Sequence, residues 1–182
     1  MKGPVVAITM GDAAGIGPEI TCKSLQHPDL YEICRPVVIG DAKVLENVIQ
    51  LYGLGLTVNR IEDVNAGTYT CGIIDVLHFD DIDLNKLRFG ELSAMCGMAA
   101  VKYTQIACQM AMEGIVDAMV SAPLNKAAMR MAGYPYEGQT QIIGEQTKSE
   151  NYGMFQLLGT IRTLMYTTHM SLEDACKKVT YE

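Results

Sequence analysis

Short apolar runs rich in β-branched residues alternate along the chain with stretches of helical periodicity, and this alternation limits the possible folds more than any other feature. Parallel strands need a crossover of a dozen or more residues between them, and an amphipathic helix is the usual crossover. The runs "PVVAITM" (4–10), "RPVVIG" (35–40), "LTVNRI" (56–61), "GIIDVLHF" (72–79), "DAMVSAP" (117–123) and "TIRTLMYTTHM" (160–170) read as strands. Helices are expected over 18–26, 42–52, from Ser93 to about Glu113, over 125–133, from Thr140 to about 149, and over 172–179. Asp41, Ser93, Thr140 and Ser171 stand at N-cap positions, and Gly53, Gly114 and Gly133 stand at helix stops. The pattern predicts an α/β layered fold with a largely parallel sheet. The weakest pattern lies between Asn59 and Thr70, which reads as the softest part of the chain.

Bulk composition excludes several functions. The 182 residues carry 14 Lys and Arg against 21 Asp and Glu, a formal charge of −7, with no basic stripe, so a nucleic-acid partner is not expected. The longest apolar region, Ala94 to Val120, is interrupted by Lys102, Gln105, Gln109 and Glu113, so no membrane span is expected. The six cysteines form no CxxC pair and follow no targeting segment; they read as buried, reduced thiols of a cytoplasmic protein.

Two segments carry chemistry. In "TMGDAAGIGPEITCKSL" (9–25) a glycine-rich turn joins a strand to a helix. Such a turn can cradle a phosphate or carboxylate against a helix N-terminus, with Gly11, Gly15 and Gly17 facing the anion. It can equally be a tight turn, capped by Asp12, that packs the helix close to the sheet. The spacing is neither GxGxxG nor a P-loop.

In "VSAPLNKAAMRMAGYPYEGQTQIIGEQT" (120–147), Asn125 and Lys126 directly follow a strand end, where α/β sheets bind ligands. Either they meet an anionic substrate, or Asn125 is an N-cap and Lys126 a solvated charge. Of the three histidines, His27 reads as a helix C-terminal cap, His78 as a surface residue, and His169 as a strand-end group open to metal binding.

These pieces, in this order, resemble one family. "MGDAAGIGPE" (10–19) is similar to the MGDPAGIGPE signature of the 4-hydroxythreonine-4-phosphate dehydrogenase family, with Ala13 where Pro is usual. "SAPLNKAAMRMAGYPYEGQTQIIGEQT" resembles that family's (T/S)(A/G)P-(I/L)-(N/H)-K segment and the G-H-T-E motif after it, and "TTHMSLEDA" resembles its T-x-H-x-(P/S)-L segment. The resemblance runs the length of the chain. It implies an isocitrate/isopropylmalate dehydrogenase-like fold, with residues 1–120 as an N-terminal α/β domain and 121–182 as the incomplete start of a second. It implies NAD(P)-dependent oxidation and decarboxylation of a small phosphorylated hydroxy acid in vitamin B6 biosynthesis. It also implies a homodimer whose interface holds a divalent metal (Zn, Mg, Mn or Co) on three His. Carried over residue by residue, Lys126 becomes a catalytic and substrate contact, Asn125 a substrate contact, His169 a metal ligand, Gln139 an altered metal-His position and Gln141 the Glu two residues on. No cofactor-contacting residue is assigned.

Two departures complicate the resemblance. A Gln carbonyl at 139 is a poorer transition-metal ligand than imidazole. The chain also ends soon after a helix begins, where the family continues with its third metal His, a Lys–Asn–Arg set and much of its NAD site. A truncated form with little activity of its own is therefore expected. A non-catalytic relic or binding module of the same fold, and a four-carbon sugar-acid 4-phosphate dehydrogenase, are the alternatives.

Overall fold

A computed structural model describes residues 3–167 and 170–180. They group into two compact units, Met1–Thr147 and Lys148–Glu182.

The first unit is built on a five-stranded sheet: β1 (Val5–Thr9), β2 (Arg35–Gly40), β3 (Thr57–Ile61), β4 (Ile73–His78) and β5 (Ala118–Ser121). The spatial order is β3-β4-β2-β1-β5 and every pairing is parallel, as the alternation predicts. The helices between them are α1 (Gly17–Ser24), α2 (Pro28–Ile33), α3 (Ala42–Tyr52) and α4 (Ala94–Met112), followed by α5 (Lys126–Met131) and α6 (Gln139–Thr147). The central strands read as near-continuous apolar runs because parallel sheets are covered on both faces. In β2, Pro36 to Gly40 are all buried. The core gathers Val37, Val38 and Ile39 of β2, Ile74 and Val76 of β4, Val44, Leu45 and Val48 of α3, and Ala99, Tyr103 and Ala107 of α4. Helix α4 packs on β1, β2 and β5, and also carries α5 and α6. Among the described residues no helix is long and apolar enough to cross a membrane.

Caps place the helices as their side chains dictate. Asp41 Oδ1 accepts from the Lys43 amide at 3.0 Å, and the Ser93 hydroxyl accepts from Cys96. Thr140 is not the cap of α6, because the helix already begins at Gln139 and leaves Thr140 inside its first turn. His27 does not cap the end of α1 with its ring. It stands at the N-cap position of α2, a six-residue helix that Pro28 starts and that is too short to show a period.

The stretch read as softest is instead pinned. Buried Asp75 of β4 accepts from the Thr68 and Tyr69 amides, the Thr68 hydroxyl and the Asn59 amide group. One carboxyl with four donors can order a loop that has no periodicity of its own.

The cysteines are all free, but only Cys22, Cys96 and Cys108 are buried; Cys34 is intermediate, and Cys71 and Cys176 are exposed. Thiols are small enough to sit on a surface as readily as in a core.

The second unit holds an antiparallel hairpin, β6 (Phe155–Leu158) and β7 (Ile161–Leu164), and a helix α7 (Leu172–Lys178) capped by the Ser171 hydroxyl. Among the described residues of the expected strand over 160–170, the regular part is 161–164, and β6 forms from a segment with no strand reading. The turn at Gly159 brings the two short runs together.

Candidate functional site

Because the five strands are parallel, their carboxyl ends share one edge, and both chemical segments of the sequence meet there beside β1 and β5. The chain leaves β1 at Thr9 and turns sharply at Gly11, whose φ is +72°. A β-carbon on Gly11 would lie 2.3 Å from the Pro123 carbonyl oxygen, so only glycine fits. The Asp12 amide donates to that same oxygen at 2.9 Å, fastening the turn to the loop that leaves β5. A β-carbon on Gly17 would stand 2.3 Å from the Met10 carbonyl oxygen, so the first turn of α1 lies directly against the end of β1.

The turn spends its own donors. Asp12 Oδ1 accepts from the Ala14 amide at 2.9 Å, and the Asp12 carbonyl accepts from the Gly15 amide at 3.0 Å. The amides of residues 12, 14 and 15 are thus engaged inside the protein, and among Gly11, Gly15 and Gly17 it is the Gly15 donor that the turn uses. The tight-turn reading, with Asp12 as its cap, fits the geometry. Burial pushes the Asp12 carboxyl above its ordinary value, while the Ala14 amide opposes that shift.

Across from this turn, Asn125 is the N-cap of α5; its Oδ1 accepts from the amides of Ala127 and Ala128 at 2.9 and 3.2 Å. The acceptor is thereby used, and its NH2 is the polar group left to face solvent. Lys126 is exposed and makes no ion pair among the described residues. Its Cε lies 4.0 Å from where a β-carbon on Gly138 would stand, so the ammonium reaches the start of α6. There Gln139 donates its NH2 to the Ala122 carbonyl at 2.7 Å. Gln141 turns away to accept from the Glu137 amide at 2.9 Å. Asn125, Lys126 and Gln139 therefore converge on the loop that follows β5. His169 lies outside the described residues.

A metal centre needs more than this edge offers. Its candidate donor among the described residues is the Gln139 carbonyl oxygen, whereas a catalytic zinc takes about three protein ligands. The described residues thus do not fit a metal there.

Further along the same edge, sequence reasoning missed a polar cluster. Asp41, fully buried, accepts from the Ile82 amide at 2.9 Å as well as from Lys43. His78 is not a free surface group: its Nδ1 accepts from the Ala42 amide at 3.1 Å. Asp41, His78 and Asp80 stand close enough to share a cation. The Lys43 ammonium already fills that place, pairing with Asp80, lying 3.7 Å from Asp41 and donating to the Ile82 carbonyl at 2.9 Å. Its hydrogen bond holds the exposed Asp80 carboxyl below the ordinary range. The available signal was an acid within two residues of each of two strand ends, "GDAK" and "HFDD".

Comparison with known proteins gives this geometry a setting. A family profile described as pyridoxal phosphate biosynthetic protein PdxA matches residues 32–182. A protein of Halalkalibacterium halodurans that carries the provisional name D-threonate 4-phosphate dehydrogenase is 40% identical over 182 residues, which is 100% of this chain and 54% of its own length. A crystal structure of a 4-hydroxythreonine-4-phosphate dehydrogenase from Burkholderia phymatum superposes with a TM-score of 0.90 at 41% identity, over 97% of this chain and 53% of that one. The corresponding enzyme structure from Klebsiella pneumoniae gives a TM-score of 0.90 at 33% identity, over 97% and 53%. The chain spans about half the length of the relatives it matches.

Proposed function

The chain belongs to the PdxA family, and on that premise we propose that it binds a small phosphorylated hydroxy acid at the carboxyl ends of β1 and β5. The binding serves an NAD- or NADP-dependent oxidation and decarboxylation in pyridoxal phosphate biosynthesis. The observation that carries the reading is Lys126: a cation with no ion pair among the described residues, at the sheet edge where α/β folds bind ligands, beside two amide side chains.

Each group has a role that its geometry allows. Lys126 meets the phosphate or carboxylate as a point charge. The Asn125 NH2 donates to the same anion, its oxygen being held by α5. Gln139, with its nitrogen fixed on Ala122, offers its oxygen to a substrate hydroxyl. The family reaction also requires a nicotinamide cofactor and a divalent metal. The described residues complete neither site, so no step is assigned through them and slow turnover by this chain alone is the expected behaviour. A homodimer in the cytoplasm, and a second α/β domain beginning near residue 121, belong to the same proposal.

A second reading of the substrate rests on the Halalkalibacterium halodurans relative, whose name specifies D-threonate 4-phosphate. A four-carbon sugar acid carries the same terminal phosphate and carboxylate without the amino group. Among the described residues Lys126 pairs with no acidic side chain.

Calorimetric titration of both compounds into the chain and into Lys126→Ala tests the proposal. Binding that weakens about 10- to 100-fold in the variant, the worth of one charged hydrogen bond, supports it. Equal binding by both proteins, or none by either, defeats it. NADH production in parallel separates an enzyme from a binding module that keeps the fold but not the chemistry.

A further inference from the structure

The short helix that presents Asn125 and Lys126 is held from behind by α4, which packs on β1, β2 and β5 and also carries α5 and α6. Gly97, in the first turn of α4, lies against the backbone of α5. A β-carbon there would stand 2.2 Å from the Ala128 carbonyl oxygen, 2.3 Å from its carbon and 2.7 Å from the Met129 nitrogen. One turn further along α4, fully buried Val101 forms a small core with Met129 of α5 and Ile142 of α6. Gly97 and Val101 together make a seat on which α5 rests.

The seat is tied to the candidate site by hydrogen bonds. The Ala128 amide donates to Asn125 Oδ1 at 3.2 Å, and the Met129 amide donates to the Asn125 carbonyl at 3.0 Å. The Ala128 carbonyl that faces Gly97 also accepts from the Ala132 amide at 3.1 Å, so it cannot swing aside without losing that bond. Of the two helices, α5 is the one that would yield. Its six residues bury Ala128 and Met129, whereas α4 is anchored in the main core by Ala99, Tyr103 and Ala107. A bulkier side chain at 97 therefore moves α5, and with it Asn125 and Lys126.

We propose that Gly97 and Val101 are positioning residues: the face they make on α4 sets where Lys126 and Asn125 stand at the sheet edge, and through them the affinity for the phosphorylated acid. A misplacement of about 1 Å can cost a site as much as losing a contact. The missing β-carbon at 97 is then a requirement of the site as well as of the packing. The inference rests on the reading of Lys126 as the group that meets the anion.

The test titrates 4-hydroxythreonine 4-phosphate and D-threonate 4-phosphate into the chain, Gly97→Ala, Val101→Ala and Lys126→Ala, at a temperature where melting curves show each protein folded. Leu45→Ala, buried in α3, is the control for lost stability. Gly97→Ala is expected to weaken binding about tenfold or more. Val101→Ala, a milder change that decides the matter if Gly97→Ala does not fold, is expected to weaken it about fivefold. Leu45→Ala is expected to lower the melting temperature and leave the affinity of the folded protein unchanged. Added to Lys126→Ala, Gly97→Ala is expected to cost only about threefold more, because the main contact it displaces is already gone. In the ligand-free chain, amide resonances from Lys126 to Met129 are expected to move in Gly97→Ala and to stay in Leu45→Ala. Binding by the parent that neither α4 variant weakens would overturn the inference and leave the substrate reading standing. So would α5 resonances that do not move, or losses that multiply fully with Lys126→Ala. A parent that binds neither compound defeats the substrate reading, and this inference falls with it.

Discussion

Residues 3–147 and 148–180 use apolar side chains at similar density and to opposite effect. In β1, Val5, Ala7 and Thr9 are buried in alternation with half-buried Val6 and Ile8. In β6 and β7 all eight positions are exposed, including Phe155, Leu157, Leu158, Ile161 and Leu164. The first unit encloses its core between a sheet and helices. The second is a two-stranded hairpin with a seven-residue helix, and has no buried residue in any element. A lone hairpin is marginal in water at best. Both units form strands, but only the first supplies its own cover.

The largest consequence should appear in hydrogen exchange. Amides of β2 are expected to exchange only through global unfolding, while those of β6 and β7 exchange by local opening. With domain stabilities of ~5–15 kcal/mol, the difference is about 10^3-fold or more at pH 7. Similar protection in the two units would remove the contrast. The next largest effect concerns glycine. Gly11→Ala combines a left-handed φ with a β-carbon 2.3 Å from a backbone oxygen, which sums to about 3 kcal/mol or more. Gly159→Ala, in the hairpin turn, shares the positive φ but meets nothing within 4 Å, so about 1 kcal/mol is expected. Urea midpoints of the two variants would show whether the packed turn or only the backbone angle decides.

Core truncation sharpens the contrast with chemistry held constant. Leu45 of α3 is completely buried and Leu158 of β6 is 76% exposed. Leu45→Ala is expected to cost about 3 kcal/mol, and Leu158→Ala no more than ~0.5 kcal/mol. A comparable loss for Leu158→Ala in the same denaturation experiment would mean that the hairpin face is covered in solution.

Much of the first unit was legible because each element carries its own signal. Asp41 and Ser93 announce their helices by capping them, and β-branched runs bounded by turns announce β1, β2 and β4. What was not legible was set by contacts distant in sequence. Asp75 orders the loop of Thr68 and Tyr69, and nothing local distinguishes it from any acid on a strand. His78 looked solvated because its partner, the Ala42 amide, lies 36 residues away. At the candidate site the sequence pointed to Asn125, Lys126 and Gln139, and the fold brings them to one loop. It did not reveal that the Asn125 oxygen and the Gln139 nitrogen are already engaged.

The smallest effect concerns the carboxyl that the tight turn traps. Asp12 is 6% exposed, and burial holds its carboxyl above the ordinary value of 3.8. The native chain therefore keeps a proton that the unfolded chain has released, so stability falls as pH rises from about that value through the raised native one, then stays level. Asp12→Asn keeps an oxygen for the Ala14 amide and carries no charge to desolvate. The variant should match the parent near pH 3.5 and become the more stable protein as pH rises to 7, by less than the Leu45→Ala effect. Urea midpoints across that range measure it, and a difference that shrinks with rising pH would show the carboxylate to be better satisfied folded than unfolded. A turn that bears this cost at neutral pH keeps a buried carboxyl at the carboxyl edge of the sheet. The exposed hairpin, with no interior to trap a charge, has no means of doing so.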